Sequence, residues 1–250
     1  MAITIAISGK GGSGKTTLAA MIIRLLAGQS QGAILAVDAD PNSCLAPMMG
    51  VEPGTSIADI REKVVEKAPT SSGMDRVRSF EYGIQQAITE AAGFDLLTMG
   101  RPEGPGCYCA ANNMLRTFMD KLSPQYQYVI IDNEAGMEHL SRRTTNNVDL
   151  LCIVAQPSPV GVLTARRIYE LAKQLPISVK EIGVIWNRAE SRKKVDEIES
   201  FGYIPNDESI LEASMQGQTI FDLEENNTAL LAVRNILESK LNLSLTNNEQ

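Results

Sequence analysis

A glycine-rich segment near the N-terminus contains the residues best suited to chemistry. It reads GKGGSGKTT over residues 9–17, which matches the phosphate-loop pattern G-x-x-x-x-G-K-[ST]. Glycines allow backbone N–H groups to converge on phosphate oxygens, and a helix that follows adds partial positive charge at its N-terminus. We expect Lys15 to reach the β- and γ-phosphates and the Thr16 hydroxyl to ligate Mg²⁺. The predicted nucleotide-binding residues of this segment are Gly11, Gly12, Ser13, Gly14, Lys15, Thr16 and Thr17.

Carboxylates follow two of the apolar runs that have the length of buried strands. Asp38 and Asp40 follow Ala33–Val37, and Asp132 follows Tyr128–Ile131. Because α/β sheets bind ligands at the carboxyl ends of parallel strands, these side chains are candidates for contact with a ligand. An apolar strand that ends in Asp is a Walker B pattern, which places Asp132 near the metal. Asp38 and Asp40 would also serve as helix-capping and turn residues.

Two cysteines one residue apart, Cys107 and Cys109, follow a Gly-Pro-Gly approach at residues 104–106. Two thiolates can bind a soft or borderline metal but do not complete a tetrahedral site, whereas a two-fold dimer would supply four. A redox disulfide, buried packing and ligation of an iron–sulfur cluster remain alternatives. Cys152 lies inside an apolar run and is expected in the core, while the role of Cys44 stays open.

The elements that must position these groups alternate between strand-like and helix-like patterns. The predicted strands are Ile3–Ser8, Ala33–Val37, Asp95–Met99, Tyr128–Ile131, Leu150–Ala155 and Ile182–Trp186. The predicted helices are Thr16–Ala27, Ser56–Glu66, Phe80–Ala91, Asn112–Leu122, Val160–Gln174, Arg192–Phe201 and Thr228–Leu241. Such alternation predicts an α/β fold, with a mostly parallel sheet flanked by helices on both faces. We expect one P-loop ATPase domain over residues 1–250, with residues 244–250 as a disordered tail.

Composition narrows the classes of protein further. The chain has 250 residues, a net charge of -7 and four cysteines, too few for a disulfide scaffold. The acidic balance argues against non-specific binding to nucleic acid or an anionic membrane. The apolar N-terminus is interpreted as a first strand rather than a signal peptide, because it lacks a basic start and a cleavage site. We therefore expect a cytoplasmic protein with reduced thiols.

The string GKGGSGKTT resembles the deviant Walker A loop of the ATPase group that contains the nitrogenase iron protein, MinD and ParA. The resemblance implies a homodimer that hydrolyses ATP, in which Lys10 reaches across the interface to the partner's nucleotide. Asp40, the aspartate before a proline, would belong to switch I and position the attacking water, with Asp38 supporting the metal shell. Lys10, Lys15 and Asp40 are thus the implied catalytic residues.

The segment from Asn133 to His139 resembles switch II of the same group. Gly136 would offer its N–H to the γ-phosphate. Asn133 and Glu134 replace the small polar residues that are more usual there, so the residue that positions the water stays open. His139, the only histidine of the chain, is either an acid–base candidate or an ordinary helix residue.

The base pocket is also implied by resemblance. Asn187, after the run Ile182–Trp186, resembles the residue that reads the adenine amino edge in this group. The loop containing Pro205 and Asp207 resembles the one that walls the base. An ordinary turn role would suit Asn187 as well.

Four segments together resemble the CooC and AcsF group of nickel-insertion ATPases, namely GKGGSGKTT, VDADPNSCL, GCYCAANNMLR and DNEAGMEHL. The resemblance implies a metallochaperone in which Mg-ATP closes a homodimer. Hydrolysis would then drive delivery of Ni²⁺, or Zn²⁺, from Cys107 and Cys109 of each subunit. The implied client is carbon monoxide dehydrogenase or acetyl-CoA synthase.

Two other functions remain open at the level of sequence. A positioning ATPase like MinD or ParA would need a basic amphipathic end or a basic patch. The end Leu237–Gln250 is a poor anchor, and Arg142-Arg143 and Arg166-Arg167 also suit a solvated helix face. A redox ATPase would hold an iron–sulfur cluster between its subunits.

Overall fold

A computed structural model describes residues 2–29, 32–66, 82–100, 119–120, 122–135 and 147–245 of the chain. These residues include the sheet that carries the candidate site. The strands are β1 (Ile3–Gly9), β2 (Ile34–Ala39), β3 (Ile88–Ala91), β4 (Phe94–Thr98), β5 (Tyr128–Asn133), β6 (Asn147–Ala155), β7 (Ser178–Asn187) and β8 (Glu199–Ile204). They form one sheet in the order β3-β4-β2-β5-β1-β6-β7-β8. Neighbouring strands pair in parallel except β3 and β4. The predicted fold class is confirmed.

Helices cover both faces of this sheet. They are α1 (Lys15–Ala27), α2 (Leu45–Met48), α3 (Ile57–Glu66), α4 (Pro159–Gln174), α5 (Glu208–Met215) and α6 (Thr228–Leu241). On one face, Ile22 of α1 and Leu230 of α6 share a buried cluster with Ile5 and Ile130. On the other, Ile168 of α4 shares a cluster with Trp186. Burial on both faces explains why the central strands are continuous apolar runs.

The helix predicted over Phe80–Ala91 is only partly correct. Residues 82–87 are helical, but Ile88–Ala91 forms the antiparallel strand β3. Ala91 pairs with Phe94, so a two-residue turn at Ala92 and Gly93 connects β3 to β4. Gly93 has a φ of 86°, a conformation that glycine adopts without a steric penalty. The tight turn therefore decides the structure against local helical periodicity.

The helix predicted over Arg192–Phe201 is wrong. Residues Glu199–Ile204 instead form β8, which extends the sheet beyond β7. The Phe201 ring lies against Gly183 of β7, where a side chain would collide with it. This long-range fit, which local sequence does not reveal, favours a strand. The helix α5 that follows was not predicted.

Other predictions concern the ends of the described ranges. Most of the predicted helix Asn112–Leu122 lies outside the described residues, although residues 119–120 and 122 are helical. Leu245 is buried and its backbone N–H donates to Glu238 Oε1 over 2.8 Å, so the predicted tail from 244 is packed at least to Leu245. None of the described helices is long and apolar enough to cross a bilayer.

Candidate functional site

The glycine-rich loop connects β1 to α1 at the carboxyl end of the central strands, as predicted. The backbone N–H of Ser13 donates to the Lys10 carbonyl over 3.1 Å and closes the loop on itself. Beside Gly11 and Gly12 no heavy atom of the described residues comes within 4 Å of where a Cβ would stand. The loop thus leaves room for a ligand against its glycines.

The first turn of α1 is suited to bind an anion. Its N-cap, Gly14, offers no side-chain hydrogen bond, and the first turn contains no acidic residue. The N-terminal N–H groups of a helix that is capped in this way can bind phosphate oxygens. Lys15 is buried at this end, Thr16 and Thr17 are half-buried, and the buried Ser13 Oγ has no hydrogen-bond partner in the described ranges. The predicted phosphate-binding residues are therefore together.

Asp132 at the end of β5 is the most unusual carboxylate of the site. It is 1% exposed, and neither of its oxygens has a hydrogen-bond partner within the described part of the chain. Burial, with a smaller contribution from the Asp38 carboxylate, raises the pKa of Asp132 to about 7. The nearby Thr16 hydroxyl and Lys15 act in the opposite direction. A buried carboxylate without donors is stabilised by a bound cation.

Asp38 lies beside Asp132 on the neighbouring strand β2 and is fully buried. Its oxygens already accept hydrogen bonds from the backbone N–H groups of Leu45, over 2.9 Å, and Asp40, over 3.2 Å. Burial nevertheless raises the pKa of Asp38 to about 6. Asp38 therefore organises the turn after β2, in keeping with the capping role considered from sequence.

The partly exposed Asp40 belongs to this turn. Its Oδ1 accepts hydrogen bonds from the backbone N–H of Asn42, over 2.9 Å, and from the Asn42 side chain, over 2.8 Å. Cys44 is exposed at the same turn. Partial desolvation, and then the carboxylates of Asp38 and Asp40, raise the pKa of its thiol. A raised pKa disfavours the thiolate that a metal would need.

The site fits Mg²⁺ held jointly by protein and phosphate. Asp132 supplies two oxygens to which no other described residue is hydrogen-bonded, and the Thr16 hydroxyl lies beside it. Among the described residues, no three His, Cys, Asp or Glu side chains converge as a complete metal site. Mg²⁺ commonly binds through one or two carboxylates together with substrate phosphates and water. The residues that would hold it are Thr16 and Asp132, with Asp38 and Asp40 beside them.

Asn133 marks the beginning of the predicted switch II. It is fully buried, and its Nδ2 donates to the Ile7 carbonyl of β1 over 2.8 Å. Its Oδ1 has no hydrogen-bond partner in the ranges that are described. Glu134 is partly exposed. The predicted switch residues Gly136 and His139 lie outside the described residues.

The remaining predictions for the site concern Lys10 and three of the cysteines. Lys10 is exposed on the phosphate loop, and the core prediction for Cys152 is confirmed because this residue is 1% exposed. The predicted metal ligands Cys107 and Cys109 lie outside the described residues.

The predicted base residues lie at the carboxyl ends of β7 and β8. The backbone N–H of Ala189, in the loop after β7, donates to the carbonyl of Ile204, the last residue of β8, over 3.0 Å. Pro205 is partly exposed, and Asp207 caps α5 by accepting hydrogen bonds from Ser209. Asn187 Nδ2 donates to the Ser13 carbonyl of the phosphate loop over 2.8 Å. Sequence reasoning missed this contact, because its two residues are 174 positions apart and no local pattern relates them.

Known proteins resemble this chain along most of its length. A family model described as the CobQ/CobB/MinD/ParA nucleotide binding domain matches residues 4–220. An uncharacterised ATP-binding protein of Methanocaldococcus jannaschii is 40% identical over 249 residues, covering 95% of this chain and 98% of that protein. The carbon monoxide dehydrogenase accessory protein CooC of Rhodospirillum rubrum is 32% identical over 243 residues, covering 88% and 89%. The structure of a ParA family ATPase from Chlorobium tepidum has a TM-score of 0.70 at 19% identity, covering 97% and 100%.

The fold, the phosphate loop and the family match all indicate a nucleotide-binding protein. The glycines of the loop have no close neighbour in the described part of the chain, a buried lysine begins the helix, and buried carboxylates end the neighbouring strands. This chain belongs to the CobQ/CobB/MinD/ParA family and is a nucleotide-binding P-loop ATPase.

Proposed function

We propose that this ATPase is a cytoplasmic metallochaperone that uses Mg-ATP to deliver nickel to carbon monoxide dehydrogenase or acetyl-CoA synthase. The observation that carries the proposal is the similarity to CooC, at 32% identity over 88% of the chain. The pair Cys107 and Cys109 supplies thiolates for a metal cargo. Hydrolysis of ATP by itself would not require these two cysteines.

The nucleotide half of the mechanism belongs to the phosphate loop and the strand ends. Lys15 and the first turn of α1 bind the phosphate chain. Bound Mg²⁺ would neutralise charge on the phosphates. Asp132 and Thr16 would hold that ion, while Asp38 fixes the turn that presents Asp40 to the attacking water. Because Asp40 is partly exposed, it is accessible to solvent water.

Lys10 acts in the homodimer. Its exposed position on the phosphate loop suits a lysine that leaves its own subunit and stabilises charge on the partner's nucleotide. In switch II, Gly136 and the partly exposed Glu134 would respond to the presence of the γ-phosphate. Nucleotide binding would therefore favour the closed dimer.

The metal half depends on the same dimer. Cys107 and Cys109 from two subunits provide four thiolates, which suits Ni²⁺ or Zn²⁺ as cargo. ATP can change the affinity for the metal only if the open and closed dimers bind the metal differently. The coupling must be reciprocal, so the metal must change ATP-dependent dimerisation by the same factor.

The test measures Ni²⁺ and Zn²⁺ per chain under reducing, anaerobic conditions, with and without a non-hydrolysable ATP analogue, together with the mass in solution. The Cys107→Ser/Cys109→Ser double variant is the control. One metal per dimer, lost in the double variant and changed in affinity by nucleotide, is the expected result. Full ATP turnover without metal binding would reject the metallochaperone and favour a positioning ATPase. A brown, oxygen-sensitive protein would favour the iron–sulfur alternative.

A further inference from the structure

Asn187 touches the phosphate loop from a distant strand. Its Nδ2 donates to the Ser13 carbonyl over 2.8 Å, and Ser13 is only 6% exposed. If this donor were removed, the Ser13 carbonyl would lose a partner in a place where water replaces it poorly. Leaving a buried acceptor without a partner destabilises this arrangement, so the loop would tend to rearrange.

The orientation of the Asn187 amide is set by the framework of β7 and β8. Its Oδ1 accepts a hydrogen bond from the backbone N–H of Arg188 over 3.0 Å, so the flipped amide would face a carbonyl with its oxygen. Arg188 has a φ of 53°, a left-handed conformation that is sterically unfavourable for a residue with a Cβ. The hydrogen bond from Ala189 to Ile204 holds the chain at this turn. The donor therefore faces the loop because of contacts within the protein itself.

Gly14 brings the loop into direct contact with the same amide. It has a φ of 98°, and a Cβ at this position would collide with Asn187 Nδ2. Gly14 is the N-cap of α1 and immediately precedes Lys15. Any displacement of the Ser13–Gly14 segment would thus move the lysine and the N–H groups that bind phosphate.

We propose that Asn187 is a positioning residue that holds the Ser13–Gly14 segment in its phosphate-binding conformation. It thereby sets the affinity for the phosphate chain regardless of which base is attached. The second hydrogen of Nδ2 remains available to a nucleobase, so contact with the base is compatible with this role but does not account for it. The inference requires only that the phosphate loop binds nucleotide and does not depend on the metal cargo.

The experiment separates phosphate affinity from base recognition. Binding of ATP, GTP and inorganic tripolyphosphate, each with Mg²⁺, is measured by calorimetry for the wild type and Asn187→Ala. Loss of one hydrogen bond is expected to weaken all three ligands by a similar factor of about tenfold, or ~1.4 kcal/mol. Asn226→Ala, at an exposed asparagine before α6, is the matched control and should change none of the three affinities.

A second measurement needs no ligand. Hydrogen exchange of the amides in residues 10–17 should be faster in nucleotide-free Asn187→Ala than in the wild type, with exchange in α6 unchanged as a test of folding. Asn187→Ser is studied in parallel should the alanine variant fail to fold. Weaker ATP binding with unchanged tripolyphosphate affinity and unchanged exchange in the loop would overturn the proposal, because Asn187 would then act on the base alone.

Discussion

Asp38 and Asp132 lie opposite each other in the register of β2 and β5, and both are almost fully buried, yet within the described ranges only Asp38 has backbone donors. This difference in hydrogen bonding gives the two carboxylates different roles. Asp38 shapes the turn that carries Asp40, whereas neither oxygen of Asp132 has a hydrogen-bond partner among the residues described. The strand end therefore holds a carboxylate that is unfavourable in the folded protein unless a cation joins it.

Asp132→Asn tests this division. Removing a buried charge without donors should raise the free energy of unfolding of the metal-free protein at pH 8 by about 1–2 kcal/mol, while ATP hydrolysis falls to background. Chemical denaturation in EDTA and a phosphate-release assay measure the two effects. Asp38→Asn should instead destabilise the protein, because the amide cannot accept both backbone hydrogen bonds. A variant at Asp132 that is less stable than the wild type would contradict the assignment.

Lys10→Ala should leave ATP affinity within about threefold of the wild type, because the lysine is exposed and would act on the partner's nucleotide. ATP-dependent dimerisation and turnover should both be lost. Analytical ultracentrifugation with a non-hydrolysable analogue and steady-state kinetics provide the measurements. Lys194→Ala, at another exposed lysine, should behave as the wild type. Normal turnover in Lys10→Ala would exclude the proposed action in trans.

Arg24 joins α1 to the segment before α6. Its guanidinium donates to the buried Ile220 carbonyl over 2.7 Å and pairs with Glu225 over 2.7 Å. Arg24→Met should lower the free energy of unfolding by about 2 kcal/mol, because a buried carbonyl loses its charged donor. Glu225→Gln should cost less than about 1 kcal/mol, since Glu225 is 59% exposed. Equal losses in the two variants would show that the ion pair dominates.

The lowered pKa of Asp207 makes the stability of the fold depend on pH. Although burial opposes ionisation, hydrogen bonds from Ser209 and Thr228 hold its pKa below the usual value. The folded protein thus releases this proton more readily than the unfolded chain. The stabilisation is present above about pH 4 and is lost as the pH falls through the folded pKa.

Asp207→Asn should remove this part of the acid dependence, as measured by urea denaturation between pH 3 and 6. It should also cost about 1 kcal/mol at pH 7, because Asp207 caps α5 and accepts a hydrogen bond from Asn227, the N-cap of α6. Asn226→Ala again serves as the control. An unchanged acid slope would show that other carboxylates govern this range.

Local patterns determined the parts of the fold that contiguous residues build. Helix α6 begins and ends at the predicted residues Thr228 and Leu241, because Asn227 caps it and the apolar residues recur at helical spacing. The phosphate loop is likewise a contiguous motif, since its glycines and lysine act within nine residues. The central strands were found because burial on both faces demands apolar runs.

Tertiary structure decided whatever depends on distant neighbours. Strand β8 forms because Phe201 packs on Gly183, and β3 forms because the turn at Gly93 folds it onto β4. The sequence alone determined that this protein binds phosphate, since one loop and one helix end create that site. Only the folded sheet decided that no described backbone N–H donates to Asp132 and that Asn187 supports Ser13, because hydrogen bonds between distant strands follow from packing and register rather than from spacing along the chain.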